Sequence, residues 1–192
     1  MKTMIAIPCM DKIDTPFVQS LLQMPKPDCE VAFAVSSLIY DARNILAEKA
    51  VKDGYDAVLW LDSDMVFQPD LLQRLSVHLK DHEFVTGVYS TRKPQYVPCV
   101  FSDITPGKPA TPVIDLPKEP FEIMGCGFGA VLMSTSLIKD IGEQYGRPFS
   151  PASGLGEDLS FCARATKLGH KLICDPSVRL GHVGSFIFEV SE

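Results

Sequence analysis

In the first half of the chain, short unbroken apolar runs alternate with stretches whose apolar residues recur every three or four positions. Residues 4–8 and 30–35 are runs of the first kind and read as strands. Between them, Thr15-Pro16 supplies an N-cap and first-turn pair for a helix reaching about Met24, and Pro25-Lys26-Pro27 breaks it. Asp41 can cap a second helix with Ile45, Leu46 and Ala50 on one face, and Gly54 stops it. Residues 57–61 are apolar throughout, the pattern of a strand buried on both faces of a parallel sheet. Pro69 opens a third helix carrying Leu71, Leu72, Leu75 and Leu79, and 84–89 reads as a fourth strand.

The second half is less regular. Residues 103–120 hold five prolines with little periodicity and read as a loop, as do 142–156. Between these loops lie two short strand patterns, 121–124 and 130–134, around Gly125-Cys126-Gly127-Phe128-Gly129. Glu157 starts a helix ending at Gly169, and 171–174 is a last core strand before Gly181-His182. This rhythm predicts an α/β fold: an open, mostly parallel sheet flanked by helices on both faces, in one unit spanning 1–192. Ligands of such sheets bind beyond the carboxyl ends of the strands. The segments to watch are therefore Pro8-Cys9-Met10, Ser36-Ser37, Asp62-Ser63-Asp64 and Tyr89-Ser90.

Composition narrows the function. The net charge of −6, with no basic run, argues against nucleic acid or an anionic membrane surface as partner. No apolar run approaches the ~18 residues of a membrane span, the start shows no signal-peptide core, and the six cysteines contain no C-x-x-C pair. Free thiols and a cytoplasmic location are the expectation.

The chemistry concentrates in a few places. Asp62 and Asp64 follow a fully apolar strand, and an extended chain would point both carboxylates the same way. Paired carboxylates repel unless a cation joins them, and oxygen ligands suit Mg2+ or Mn2+; two solvated acids capping a strand are the plainer alternative. Glu157-Asp158 opens a helix, where acids complement the helix dipole or hold a base under a loop. His182 sits between glycines Gly181 and Gly184 with Val183 intervening, and imidazole is a competent manganese ligand. Arg43 and Asn44 fall in the expected first turn of a helix, a poor place for a cation. Arg92 and Lys93 follow the fourth strand, where they bind phosphate or decorate a loop.

The stretches "IAIPC", "DARNILAEKAVKDGYDAVLWLDSDMVF", "VTGVYSTRKPQYVPCVF", "GCGFGAVLMSTSLIKDIG" and "GEDLSFCARATKLGHKLICDPSVRLGHVG" together resemble family 2-type glycosyltransferases with the GT-A fold, particularly small stand-alone or phage-borne members. The resemblance implies transfer of a sugar from a nucleoside-diphosphate sugar (UDP- or GDP-sugar) to an acceptor hydroxyl, with inversion and with Mn2+ or Mg2+ as cofactor. It implies Asp64 as metal ligand, Asp62 on the ribose or the metal's water shell, and His182 completing the metal site or approaching the diphosphate. Asp158 becomes the general base, with Glu157 orienting the acceptor or supporting the base. Pro8, Cys9, Met10, Ser36 and Arg43 line the nucleotide pocket, with Ser63 beside them, and Gly125, Cys126 and Gly127 lie where donor sugar and acceptor meet. Residues 1–100 form the nucleotide-binding half and 101–192 the acceptor and catalytic half.

Two features depart from the family. Ser36-Ser37 stand where many members read the base with an aspartate, and little chain follows His182 to build an acceptor wall. A partner protein or a second copy in a homo-oligomer would supply that wall, unless the acceptor is small. Competing readings are a non-catalytic sugar-nucleotide-binding module and a haloacid dehalogenase-type phosphohydrolase. The latter places its acid pair after the first strand, not the third, and "GEDLS" lacks its second downstream acid. A sugar-nucleotidyltransferase needs a glycine-rich basic loop that "PCMDKIDTP" is not.

Overall fold

A computed structural model describes residues 1–92 and 95–184. The first half runs β1 (Thr3–Cys9), α1 (Thr15–Gln23), β2 (Cys29–Val35), α2 (Ile39–Lys52), β3 (Ala57–Leu61), β4 (Met65–Val66), α3 (Leu71–Ser76) and β5 (Phe84–Val88). Four short strands follow: β6 (Val100–Asp103), β7 (Thr111–Pro112), β8 (Phe121–Ile123) and β9 (Gly125–Cys126). The chain then forms β10 (Ala130–Ser134), α4 (Thr135–Tyr145), α5 (Glu157–Lys167), β11 (Leu172–Arg179) and β12 (Gly181–His182).

Among the described residues the main sheet has seven strands in the order β2-β1-β3-β10-β5-β11-β8. Strands β2, β1 and β3 pair in parallel, as do β5 and β11. Strand β10 runs antiparallel to both its neighbours, and β8 is antiparallel to β11, so the sheet is mostly parallel. The insertion of β10 between β3 and β5 is not visible in sequence. Its first four residues are all buried, and an unbroken apolar run carries no sign of strand direction.

Alternation along the strands sorts the core onto two faces. Met4, Ala6, Val58 and Trp60 pack with Leu46 of α2, Ile138 of α4 and Phe161 of α5. Ile5, Ile7, Leu59 and Leu61 pack instead with Phe17 of α1 and with Leu71 and Leu75 of α3. Helices thus cover both faces, as the rhythm of the sequence predicts. Under one end of the sheet, Trp60, Phe128, Phe149 and Phe161 form an aromatic cluster, with Trp60 and Phe149 centred 4.9 Å apart. Phe149 lies in the segment between α4 and α5, and its N–H donates to Asn44 Oδ1 at 3.0 Å. That segment is therefore anchored where the sequence predicts only a loop.

Several boundaries differ from the sequence reading. Helix α4, Thr135–Tyr145, has no counterpart in the sequence reading, which leaves 135–141 unassigned and reads a loop from 142; it forms because Ser134 Oγ caps Leu137 N–H and Leu137, Ile138 and Ile141 share a buried face. Helix α2 starts at Ile39, so Asp41 is a first-turn acid and not its cap, and Arg43 sits in the second turn. The proline-rich 103–120 segment contains β7, which pairs with β6. Strand β11 continues past residue 174 to Arg179.

Glycine at 129 is required where β10 meets the Asp62 loop. Its carbonyl accepts from Asp62 N–H at 3.2 Å. A Cβ there would lie 2.7 Å from both Met65 Sδ and Tyr89 Cε1. Gly129→Ala should cost about 1–3 kcal/mol by overpacking. Urea denaturation reads this directly, and an unchanged midpoint would mean that Tyr89 yields without cost.

Candidate active site

The carboxyl ends of β1, β3 and β5 open onto a cleft of about 550 Å³. Asp62, Ser63, Asp64, Arg43, Glu157, Asp158 and His182 all line it, although more than a hundred residues separate the first from the last. Pro8, Cys9 and Met10 line it as well. Of the two serines after β2, Ser37 reaches the cleft, while the Ser36 hydroxyl accepts from Leu38 N–H at 3.2 Å in a local turn.

Gly125, Cys126 and Gly127 stand apart from the cleft lining. The close approach their small size permits is made by protein: a Cβ on Gly127 would meet Tyr89 Oη at 2.0 Å, and one on Gly125 would press on Ile104 and Leu159. Lys93 lies outside the described residues. Asp11, Lys12, Asp14, Ile39 and Phe128 line the cleft without having been singled out in sequence. For the first three, position directly after the first strand is the signal that would have found them.

The two motif acids do different things. The chain turns at 62–65, closed by Met65 N–H donating to Asp62 O at 3.2 Å, so the extended geometry expected for this motif does not form. Asp62 Oδ1 takes a 2.7 Å bond from Arg43 Nη2. Asp64 Oδ2 instead lies 3.3 Å from His182 Nε2 and 3.0 Å from Arg92 Nη1. Backbone pairing makes the second arrangement. Strand β12 pairs with β4 so that His182 faces Met65, and Val183 N–H donates to Asp64 O at 2.8 Å.

His182 is oriented with some care. Its Nδ1 lies 2.9 Å from the Ser90 carbonyl, which can only accept, so Nδ1 carries a proton and Nε2 is the nitrogen turned toward Asp64. Tyr89 packs edge-on against the same ring at 5.3 Å. A ligating histidine commonly has this form, with its other nitrogen fixed by a backbone acceptor.

Arg43 is the buried charge of the site. Its side chain is 3% exposed, between Asp62 and Glu157 Oε1, the latter 3.4 Å from Nε. The guanidinium also faces Phe128, 5.2 Å from the ring centroid. Burial opposes its charge, yet Asp62 first, then Glu157 and Asp158, hold its pKa above the ordinary range. Among the described residues, Nε and Nη1 make no hydrogen bond. Burial raises the Asp62 pKa, and Arg43 partly offsets this. Asp158 is pushed up to about 6, first by burial and then by neighbouring Glu157, while a 2.7 Å bond from Leu159 N–H pulls the other way.

The residues present suit a divalent cation only with help from a ligand. Among the described residues, no three His, Cys, Asp or Glu side chains gather closely enough to hold one by themselves. Asp64 and His182 nonetheless place a carboxylate oxygen and a ring nitrogen 3.3 Å apart. Adjacent ligands around Mg2+ sit about 3 Å apart, and this ion usually takes one or two protein ligands plus phosphate oxygens. Among the described residues the cleft is lined by six carboxylates and three Lys or Arg side chains. An anionic ligand therefore needs a cation beside it here.

Comparison with known proteins agrees on the fold. No family model and no curated protein sequence matches the chain. Among solved structures, A197 from STIV superimposes with a TM-score of 0.71 and 21% identity, over 96% of this chain and 87% of that one. GalNAc-T7, solved with UDP, GalNAc and Mn2+, gives a TM-score of 0.66 and 12% identity over 96% of this chain. This chain spans 43% of the length of that protein. The architecture is thus shared with a GT-A glycosyltransferase. Among the described residues no helix is long and apolar enough to cross a membrane.

Two outcomes follow from the buried charges. Arg43→Met strips Asp62 of its partner and should destabilise the protein by roughly 3 kcal/mol, the low end for a broken buried pair because Asp62 keeps some exposure. Chemical denaturation measures it, and a loss under about 0.5 kcal/mol would make the pair a surface-like contact. For Asp158, a native pKa above the unfolded value of about 3.9 means the native state binds more protons between these values. Stability from this group therefore falls as pH rises from about 4 to about 6. Asp158→Asn should melt higher than the parent at pH 8, with the gap closing near pH 4; a gap independent of pH would contradict the raised pKa.

Proposed function

We propose that the chain is a metal-dependent glycosyltransferase, similar to family 2, moving a sugar from a UDP- or GDP-sugar to an acceptor hydroxyl with inversion. The observation that carries this reading is the meeting of Asp64 and His182 at one end of the cleft with Asp158 and Glu157 in the same cleft. The shared fold with GalNAc-T7 supports it. In this reading the whole chain is one unit, with 1–100 binding the nucleotide and 101–192 serving acceptor and catalysis. The enzyme works in the cytoplasm, and a second copy or a partner holds the acceptor if it is large.

Asp64 and His182 would hold Mn2+ or Mg2+. Such a cation stabilises the charge that develops on a leaving diphosphate more than the ground-state charge. Asp62, tied to Arg43, would contact the ribose or the cation's water shell. Asp158 accepts the proton of the acceptor hydroxyl as it attacks the anomeric carbon, and its pKa of about 6 leaves it ionised yet basic at neutral pH. Glu157 shares Arg43 with Asp62, which keeps base and donor elements in register. Gly156 precedes this pair as the helix cap; a Cβ there would come within 3.0 Å of Asp158 Oδ1, so glycine leaves that carboxylate room.

The test is release of nucleoside diphosphate from a panel of sugar nucleotides with Mn2+. Asp64→Ala and Asp158→Ala should each lower the rate by about 10³-fold or more. Below pH 6 the parent rate should fall about tenfold per pH unit as Asp158 protonates. No binding or turnover of any uridine, guanosine or thymidine sugar nucleotide would overturn the reading. Binding without release would leave a non-catalytic module.

A further inference from the structure

Arg92 stands on the oxygen that a divalent cation at Asp64 would use. Its Nη1 lies 3.0 Å from Asp64 Oδ2 and 3.3 Å from the Val183 carbonyl, while His182 Nε2 approaches the same Oδ2 at 3.3 Å. A guanidinium in that place satisfies an acidic cleft that would otherwise hold an unbalanced carboxylate. It would lie within a few ångströms of a cation bound there, where like charges repel. The side chain is 53% exposed on a long stem, so it is free to leave. Its stem also has room: a Cβ on Gly184 would meet Arg92 Cδ at 3.2 Å and Cγ at 3.4 Å.

We propose that Arg92 is an exchanging counter-ion: it pairs with Asp64 and moves onto the diphosphate of the donor when a divalent cation takes its place. This rests on the donor reading above. Of the other cations lining the cleft, Arg43 is held by Asp62 and Glu157, and Lys12 belongs to the loop after β1. Arg92 alone among these three touches the Asp64–His182 pair. Asp64 thereby passes from one cation to another without being left bare, and Arg92 passes from one anion to another. Metal and nucleotide binding become linked through one side chain, each favouring the state the other needs.

The exchange has a signature in which one substitution moves two affinities in opposite directions. Mn2+ binding to the nucleotide-free protein is measured by electron paramagnetic resonance, and UDP and GDP binding at saturating Mn2+ by calorimetry. Arg92→Met should bind Mn2+ alone about three- to fivefold more tightly, the worth of an exposed ion pair removed as competitor. It should bind the diphosphate about tenfold more weakly, having lost a charge-assisted contact. Arg92→Lys should fall between the two on both scales, since it keeps the charge but not the fork. Weaker or unchanged Mn2+ binding in Arg92→Met, or unchanged diphosphate binding, would overturn the exchange while leaving the donor reading intact. Failure of the parent protein to bind either nucleotide in the presence of Mn2+ would overturn both.

Discussion

A guanidinium that is 3% exposed connects three parts of the molecule at Arg43. The residue comes from α2, its firm partner Asp62 follows β3, and Glu157 opens α5 much later in the chain. A buried cation of this kind is tolerable only with carboxylates beside it, and each carboxylate is tolerable only because of the cation. Phe128 and Phe149 of the aromatic cluster face the guanidinium, their ring centroids 5.2 and 6.0 Å away. Removal of Arg43 leaves both carboxylates without their buried counter-charge.

That constraint explains why the two acids of the Asp62-Ser63-Asp64 motif are not equivalent. Arg43 claims Asp62, and the turn closed by Met65 carries Asp64 to the other side. There the β4–β12 pairing brings His182 alongside, with Nδ1 fixed on the Ser90 carbonyl. Glu157 is held toward Arg43, and Asp158 is left partly buried with its pKa pushed up to about 6. One ion pair therefore separates a region suited to a cation and an anion from a region suited to proton transfer.

Much of this was legible in the sequence, for identifiable reasons. The strands were read because parallel-sheet strands are continuously apolar, and 57–61 is the clearest case. The acids and His182 were found because they follow strands or open a helix, positions where an α/β sheet presents its ligands. The direction of β10 was hidden, since 130–134 would look the same in either sense. Helix α4 was hidden by its glycine and by the prolines just beyond it, although Ser134 is a good cap. The burial of Arg43 is hidden because an Asp41 cap starts α2 three residues late, which turns a buried second-turn position into a first-turn one. Gly125 and Gly127 invited a ligand in sequence, whereas the space beside them is taken by Ile104, Leu159 and Tyr89.

The pairing of Asp64 with His182, separate from Asp62 with Arg43, is most directly tested by anomalous diffraction from crystals grown with Mn2+ and a nucleoside diphosphate. The expected map has one manganese peak, bonded to an Asp64 carboxylate oxygen and to His182 Nε2, with diphosphate oxygens completing its shell and Asp62 still on Arg43. A peak bridging Asp62 and Asp64 with His182 turned away, or no peak in the cleft, would contradict this division of the site.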